Sequence, residues 1–144
     1  MRKQTGFTLV ELVVVVMILG ILAAIAAPKL LGTSAVATEN GLRHTLGIVR
    51  DAIERYAAEH NGTLPAYNTT SDVQFKADLT EYLRGAFPTC PVGDKDDSVA
   101  VVNAGQPLAA DDSSSWLYDS TTGEFIANCT DPLTSDATVS YDKL

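Results

Sequence analysis

Glu11 is the side chain whose position in this sequence most strongly indicates a chemical role. It stands at the start of an apolar run, and no charged residue follows between Leu12 and Ala27. A carboxylate is costly within a membrane-spanning helix, so such residues are usually functional and paired. Glu11 is therefore the first candidate for a functional residue, and its partner has to be identified.

Other side chains form no pattern of a catalytic site. His44 and His60 have no cysteine or second histidine at metal-ligand spacing, whereas a zinc site needs about four ligands. The serines at 113–115 have neither the nucleophile-elbow pattern nor an evident base. We therefore expect that the protein is not an enzyme.

Five aspartates offer oxygen atoms of the kind that calcium prefers, but their spacing matches no calcium-binding loop. The sequence therefore predicts no cofactor and no metal site. Calcium binding is kept as a secondary hypothesis, testable by melting with and without a chelator, for Asp94, Asp96, Asp97, Asp111 and Asp112.

The element that carries Glu11 is a candidate membrane-spanning helix. Residues 7–27 number 21, and as a helix they are about 31 Å long, which matches the roughly 30 Å hydrocarbon core of a bilayer. Many valines and isoleucines favour a strand in water, but a single segment in lipid must satisfy its own backbone and is therefore helical. Arg2 and Lys3 precede the run, so the positive-inside rule predicts a cytoplasmic N-terminus and an exported chain beyond Lys29.

An ordinary secretory signal peptide is the alternative interpretation, with Ala24-Ile25-Ala26 as its cleavage site. The apolar run of 16 residues is slightly longer than a usual signal-peptide core of roughly 7–15 residues. Such a core also has no need of a carboxylate at its N-terminal edge. This alternative predicts a secreted soluble binding domain, and N-terminal sequencing of the mature protein distinguishes the two.

The stretch Gly6-Phe7-Thr8-Leu9-Val10-Glu11-Leu12 resembles the processing site of type IV prepilins and of the pseudopilins of type II secretion. In that family a membrane-embedded peptidase cuts after the glycine and methylates the new N-terminal amine. The resemblance therefore implies cleavage after Gly6 and an N-methylated Phe7. It also implies that Glu11, four residues after Phe7, supports assembly by pairing with the amine of Phe7 in its own or an adjoining subunit.

The function that the resemblance implies is that of a structural subunit in a type IV pilin-like filament. A pseudopilin of type II secretion is the first choice because the exported domain is small, and a subunit of a surface type IV pilus is the alternative. The implied partners are identical and different pilin-like subunits, the prepilin peptidase, an inner-membrane assembly platform, and the lipid bilayer before assembly. The implied location is the bacterial inner membrane, crossed once, with the C-terminal domain in the periplasm until the subunit enters the filament.

Gly20 and Pro28 lie within the predicted helix. Pro28 lacks an N–H and clashes with the preceding turn, so the sequence predicts a kink or break there. By resemblance, the stretch from Gly20 to Pro28 unwinds locally when the filament assembles. The alternative is a simple kink where the helix leaves the bilayer.

These patterns divide the chain into four segments. They are a leader (1–6), a transmembrane and filament-core helix (7–28), an amphipathic helix (29–62) and a globular periplasmic or extracellular domain (63–144). The amphipathic helix is expected to pack on the domain's own sheet. It is predicted from an apolar stripe at helical spacing, which comprises Leu42, Leu46, Val49, Ile53 and Tyr56.

The exported domain is predicted to combine a short helix with a small sheet. Residues 71–74 form the pattern of a capping box at the start of the short helix. The apolar residues 99–102 predict a strand, and residues 115–118 and 124–127 flank a turn and predict a hairpin. A further edge strand is expected at 137–141. The fold class is therefore α+β, a long N-terminal helix packed on a small antiparallel sheet, as in type IV pilins.

The charge balance argues against a nucleic-acid partner. The side chains carry a net charge of −8, and loss of Arg2 and Lys3 with the leader leaves 8 basic against 18 acidic side chains, or −10. Nucleic-acid binding needs a basic patch, and none is visible in the sequence. An acidic surface favours solubility instead.

Cys90 and Cys129 are the two cysteines of the chain. Export places them in an oxidising compartment, so we predict a disulfide between them, with two free buried thiols as the alternative. Closing this loop of about 40 residues removes unfolded-state entropy equivalent to roughly 4 kcal/mol.

Overall fold

The computed structural model describes residues 7–144, with side chains described for residues 7–27 and 34–144. The chain divides into two compact units, Met1–Ala35 and Val36–Leu144. The predicted leader, residues 1–6, lies outside the described residues. In chain order the elements are α1 (Leu9–Glu59), α2 (Asp72–Leu79), β1 (Val99–Val102), β2 (Trp116–Asp119), β3 (Phe125–Ala127) and a 3₁₀ turn (Tyr141–Lys143).

The first unit consists of the apolar part of α1. Residues Leu9–Ala27 have a mean hydropathy of 3.0, and none of this segment is buried inside the protein. By length and composition this segment suffices to cross a membrane. The predicted apolar N-terminal helix of membrane length is therefore confirmed.

The second unit is organised around the apolar stripe of α1. Four of the five predicted stripe residues are almost fully buried, and Tyr56 packs against the same core at its edge. Opposite the stripe lie the large side chains Phe75, Trp116 and Tyr118, each with no exposed surface. The stripe repeats every three or four residues and so keeps one helix face against these aromatic rings.

The short helix α2 begins where its capping pattern predicts. Ser71 has an extended backbone, and its hydroxyl accepts a hydrogen bond from the N–H of Gln74 at 3.3 Å. This bond satisfies one of the free N–H groups at the helix start. Phe75 and Leu79, one turn apart, are the buried side chains of the helix.

The sheet has three strands in the order β1-β2-β3. The predicted hairpin is confirmed, because β2 and β3 pair antiparallel with Trp116 opposite Ala127. Gly123 closes the turn with a φ of +78°, and a side chain there would also meet Leu64 at 3.1 Å. Glycine therefore suits both the backbone and the space at this turn.

The expectation of an entirely antiparallel sheet is wrong for β1 and β2, which pair in parallel. The loop of residues 103–115 carries the chain back to the start of β1, so that Trp116 pairs with Val99. A parallel pair needs a long crossover of this kind, whereas an antiparallel hairpin needs only a short turn. The fold class, α+β with a long helix and a small sheet, is otherwise confirmed.

The C-terminal segment does not form the expected edge strand at 137–141. It makes one isolated bridge, between Pro132 and Ser140, and then a 3₁₀ turn. Polar side chains of α1 hold the chain end in place. Arg50 donates to the carbonyl oxygen of Phe125 at 2.9 and 3.1 Å and to that of Leu144 at 3.1 Å.

Candidate functional site

The start of α1 is built by two side chains, Thr8 and Glu11. The N–H of Thr8 donates to Oε2 of Glu11 at 2.9 Å, and the hydroxyl of Thr8 donates to the same oxygen at 2.8 Å. In return the N–H of Glu11 donates to Oγ1 of Thr8 at 3.3 Å. This reciprocal pair is a capping box, with Thr8 as the N-cap and Glu11 three residues on.

The capping box gives Glu11 a role within its own chain. A helix leaves four N–H groups without internal partners at its start, and in lipid no water satisfies them. The Thr8–Glu11 pair satisfies two N–H groups at this end of α1. The negative carboxylate also lies at the end of the helix where the dipole is positive.

The predicted pairing of Glu11 with the Phe7 amine stays a prediction. In the described structure both hydrogen bonds to the carboxylate end on Oε2, and Oε1 accepts none from residues 7–144. The side chain of Phe7 is 78% exposed. Among the described residues, Glu11 therefore caps its own helix through Oε2. Gly6, the predicted cleavage residue, lies outside the described residues.

Sequence reasoning missed Thr8, although the pattern that identifies it was visible. A threonine followed three residues later by glutamate, ahead of an apolar run, is typical of a helix start. Cleavage after Gly6 removes neither partner, so the capping box is retained in a chain that begins at Phe7.

The proposed helix break also stays a prediction. Gly20 lies inside α1, and a Cβ added there meets nothing within 4 Å. The glycine is therefore not required by close packing in the described structure. The side chain of Pro28 lies outside the described ones, and α1 is continuous in its assigned bounds from Leu9 to Glu59.

Four of the five aspartates that were considered as calcium ligands form hydrogen bonds or an ion pair within the domain, namely Asp96, Asp97, Asp111 and Asp112. Asp96 accepts from the hydroxyls of Ser115 and Ser98, each at 2.6 Å, and from the Ser98 N–H at 2.9 Å. These three bonds, in that order, lower the pKa of Asp96 to about 2. Across the described residues no three His, Cys, Asp or Glu side chains come together to hold a metal. Calcium binding stays an untested hypothesis.

Cys90 and Cys129 are both buried and are present as free thiols. Burial raises the pKa of the Cys90 thiol to about 11, and the neighbouring Cys129 adds to the rise. The same cause raises the pKa of Cys129. The disulfide between the two cysteines stays a prediction.

We expect the protein purified from its native cells to contain one Cys90–Cys129 disulfide, because export exposes both thiols to oxidants before folding buries them. Non-reducing mass spectrometry of the unfolded protein measures this directly. Reduction is expected to lower the free energy of unfolding by roughly 4 kcal/mol. Alkylation of two thiols without prior reduction would contradict the pairing.

Glu39 fixes the C-terminal segment to α1 and was not identified from the sequence. It is 3% exposed, and its carboxylate accepts the Ser135 hydroxyl at 2.5 Å and the Ser135 N–H at 2.8 Å. These two bonds lower the pKa of Glu39 below its usual 4.5, with a smaller contribution from Arg43.

The attachment of the C-terminal segment is expected to depend on pH. A carboxyl whose pKa is lowered by folding stabilises the fold above its usual value of 4.5, and this stabilisation is lost as the pH falls through the lowered pKa. Glu39→Gln should therefore be less stable than the wild type at pH 7, and the difference should shrink in acid. Thermal unfolding followed by Trp116 fluorescence, at pH 7 and in acid, measures this difference in stability. Glu54→Gln, on the exposed side of α1, is the control. A difference that is constant with pH would contradict this role.

Comparison with known proteins finds a matching family model at the N-terminus. Residues 1–27 match the family model described as a prokaryotic N-terminal methylation motif. This match confirms the prepilin-type motif predicted around Gly6 and Glu11. No solved structure matches the chain.

Three curated relatives are similar to part of the chain. Type II secretion system core protein G of Vibrio cholerae is 43% identical over 61 residues, which is 42% of either chain. Fimbrial protein EcpB of Eikenella corrodens is 42% identical over 72 residues, covering 50% of this chain and 44% of the relative. Competence protein ComGC of Halalkalibacterium halodurans is 34% identical over 60 residues, covering 42% of this chain and 59% of the relative. The match thus spans less than half the length of the first two relatives.

Proposed function

We propose that this protein is a structural subunit of a type IV pilin-like filament, and specifically a pseudopilin of type II protein secretion. The observation that carries the proposal is the construction of α1. A capping box at Thr8 and Glu11 opens a helix whose segment Leu9–Ala27 is apolar and has no part buried inside the protein. Similarity to protein G of type II secretion supports the choice of filament.

The exposed apolar segment has to be shielded from water, and in this proposal two different surroundings shield it in turn. Before assembly the segment lies in the lipid bilayer, where a helix of this length satisfies the hydrogen bonds of its own backbone. In the filament the segment packs against the same segment of other subunits. The segment therefore acts first as a membrane anchor and then as part of a filament core.

The location and partners follow from the same reasoning. Arg2 and Lys3 ahead of the apolar segment keep the N-terminus in the cytoplasm, so the domain lies on the periplasmic side of the inner membrane. A prepilin peptidase cuts after Gly6 and the new amine of Phe7 is methylated. An inner-membrane platform then brings the subunit together with other pilin-like subunits.

Glu11 has a defined task in this assembly. An N-methylated amine stays cationic, and a cation at a helix N-terminus opposes the helix dipole. The carboxylate neutralises that charge in apolar surroundings, either within its chain or across to the Phe7 of an adjoining subunit. Pairing between subunits would fix their axial register.

A surface type IV pilus is the second candidate function. It is favoured by the similarity to fimbrial protein EcpB, which extends over 72 residues and is the longest of the three reported above. Disruption of the gene in its native host separates the two candidates. Loss of secreted proteins with surface filaments unchanged supports the pseudopilin, and the reverse supports the pilus.

The processing step is tested by the N-terminus of the mature protein. We expect it to begin with N-methylated Phe7, because the methylation motif covers residues 1–27. Mass spectrometry of the membrane fraction measures both the start and the methyl group. A Gly6→Val variant should remain at full length, since the peptidase cuts after that residue. A wild-type start near Ala27 would contradict the proposal and support the signal peptide.

A further inference from the structure

Three of the asparagines in this chain begin an Asn-X-Thr tripeptide, the acceptor pattern for N-linked glycans. They are Asn61 followed by Thr63, Asn68 followed by Thr70, and Asn128 followed by Thr130. None has proline in the middle position. The pattern alone is common by chance, so the structural setting of each asparagine decides which of them can be modified.

Asn61 and Asn68 both lie in the turn region between α1 and α2, and both side chains are exposed. Their φ angles are 56° and 58°, the left-handed conformation that asparagine tolerates in turns. The threonines two positions on, Thr63 and Thr70, are exposed as well. In the described structure none of these four side chains forms a hydrogen bond, so amide and hydroxyl groups are open to an enzyme.

Asn128 has the opposite setting. It is 2% exposed, its Nδ2 donates to Asp111 at 2.8 Å and to Ser114 at 3.1 Å, and its Oδ1 accepts the Asp111 N–H at 2.8 Å. The amide nitrogen that would carry a sugar is therefore committed to the fold. The chain thus holds two accessible acceptor patterns and one inaccessible pattern that serves as an internal control.

We propose that the turn at Asn61 and Asn68 is a site of N-linked glycosylation. The reactant is an oligosaccharide joined through a diphosphate to a lipid carrier. The amide nitrogen of the asparagine attacks the anomeric carbon, a nitrogen–carbon bond forms, and the bond from that carbon to the phosphate oxygen breaks. The electron pair leaves with the lipid diphosphate, and the amide nitrogen releases one proton.

Backbone hydrogen bonds form the turn at each asparagine, and at Asn68 the Thr69 N–H donates to the carbonyl oxygen of Ala66 at 3.1 Å. The Gly62 N–H donates to the carbonyl of Ala57 at 2.8 Å, and the Thr63 N–H donates to that of His60 at 3.0 Å. These bonds fix the turn through the backbone and leave the Asn61 side chain unused. Glu59 stands two residues before Asn61, whereas Ala66 stands two before Asn68, so an enzyme that reads an acidic residue there selects Asn61.

The site rests on the proposed function in one respect, because glycan transfer of this kind requires export of the domain. In the filament the turn belongs to the exposed domain rather than to the apolar core. A glycan there would add hydrophilic bulk to a surface that is already acidic.

The test uses the full-length protein purified from its native cells and digested with trypsin. Cleavage after Arg55 and Lys76 gives one peptide, residues 56–76, that contains both exposed acceptors. We expect this peptide to carry the mass of one or more sugar residues, and the peptide with Asn128 to carry none. The variants Asn61→Gln and Asn68→Gln assign the site, and Thr63→Ser and Thr70→Ser, which keep the hydroxyl, are the matched controls.

A 56–76 peptide without sugar, or changed only by hydrolysis of an asparagine amide, would overturn the proposal. Sugar on Asn128 in the folded protein would overturn it too, since it would show that burial does not govern the choice. The N-terminal peptide of the same sample tests the proposed function separately. A start at Phe7 with unmodified asparagines refutes the glycan alone, whereas a start near Ala27 refutes the filament subunit.

Discussion

Glu11→Ala is expected to be exported and cleaved normally but to lower filament assembly by on the order of tenfold or more. The proposed cleavage acts on the Gly6–Phe7 bond and leaves the residue at position 11 outside the reaction. In the proposed assembly, by contrast, the amine of Phe7 moves into apolar surroundings and needs a carboxylate there. Measured in native cells, the ratio of sheared filament protein to membrane-bound protein reports assembly, and the N-terminal mass reports cleavage.

The capping box makes it possible to separate the two tasks of Glu11. Glutamine in the third helical position also completes a capping box, but it carries no charge. Glu11→Gln should therefore keep the start of α1 and still assemble poorly. Thr8→Ala removes the other half of the box, bonded to Glu11 at 2.8 Å, and keeps the charge. It is expected to assemble better than either Glu11 variant.

Three outcomes are informative here. Normal assembly of Glu11→Gln together with failure of Thr8→Ala would show that helix capping, and not charge, is the essential contribution. Normal assembly of Glu11→Ala would remove Glu11 from the mechanism altogether. A loss in all three variants would show that the cap and the charge act as one unit.

The parts of the fold that were predictable from sequence are those that a pattern of neighbouring residues determines. The stripe at Leu42, Leu46 and Val49 is visible because helical spacing repeats every three or four residues, and the structure buries all three. The Ser71 cap and the hairpin whose turn ends at Gly123 are equally local. Each depends on a few consecutive residues and on the turn chemistry between them.

The parts that were not predictable depend on residues far apart in the chain. Glu39 and Ser135 are 96 positions apart, and Arg50 and Leu144 are 94 apart, so no local pattern marks either contact. The parallel pairing of β1 with β2 likewise depends on how the loop 103–115 folds back. A carboxylate on a helix is exposed by default, and only the packed structure shows that Glu39 is buried.

Thr8 is the instructive exception, because its role was local and was still missed. The spacing from Thr8 to Glu11 is that of a capping box. Because a charge in lipid is costly, however, the sequence predicted only an oppositely charged partner for Glu11. The structure shows that the same carboxylate oxygen accepts two bonds from Thr8. A residue of a candidate functional site can thus have a structural role as well.

Phe75 lies at the centre of the aromatic core of the domain. Its ring centroid is 4.2 Å from that of Tyr118, 5.8 Å from Phe87 and 6.1 Å from Phe125, and the side chain has no exposed surface. Aromatic pairs at such distances add to the gain from burial itself. Removing this ring therefore affects α2, the sheet and the loop around Phe87 at once.

Phe75→Ala is expected to lower the free energy of unfolding by about 3–5 kcal/mol, because the ring leaves a cavity that fixed neighbours fill only in part. Domains have a free energy of unfolding of only about 5–15 kcal/mol, so the variant loses a large share of it. Its Tm is expected to fall by on the order of 10–20 °C. Thermal unfolding of the full chain in detergent, followed by the fluorescence of the single tryptophan, Trp116, measures the change. Val73→Ala is the matched control, since Val73 lies on the same helix and is 71% exposed. Equal melting of the two variants would contradict the placement of Phe75 in the core.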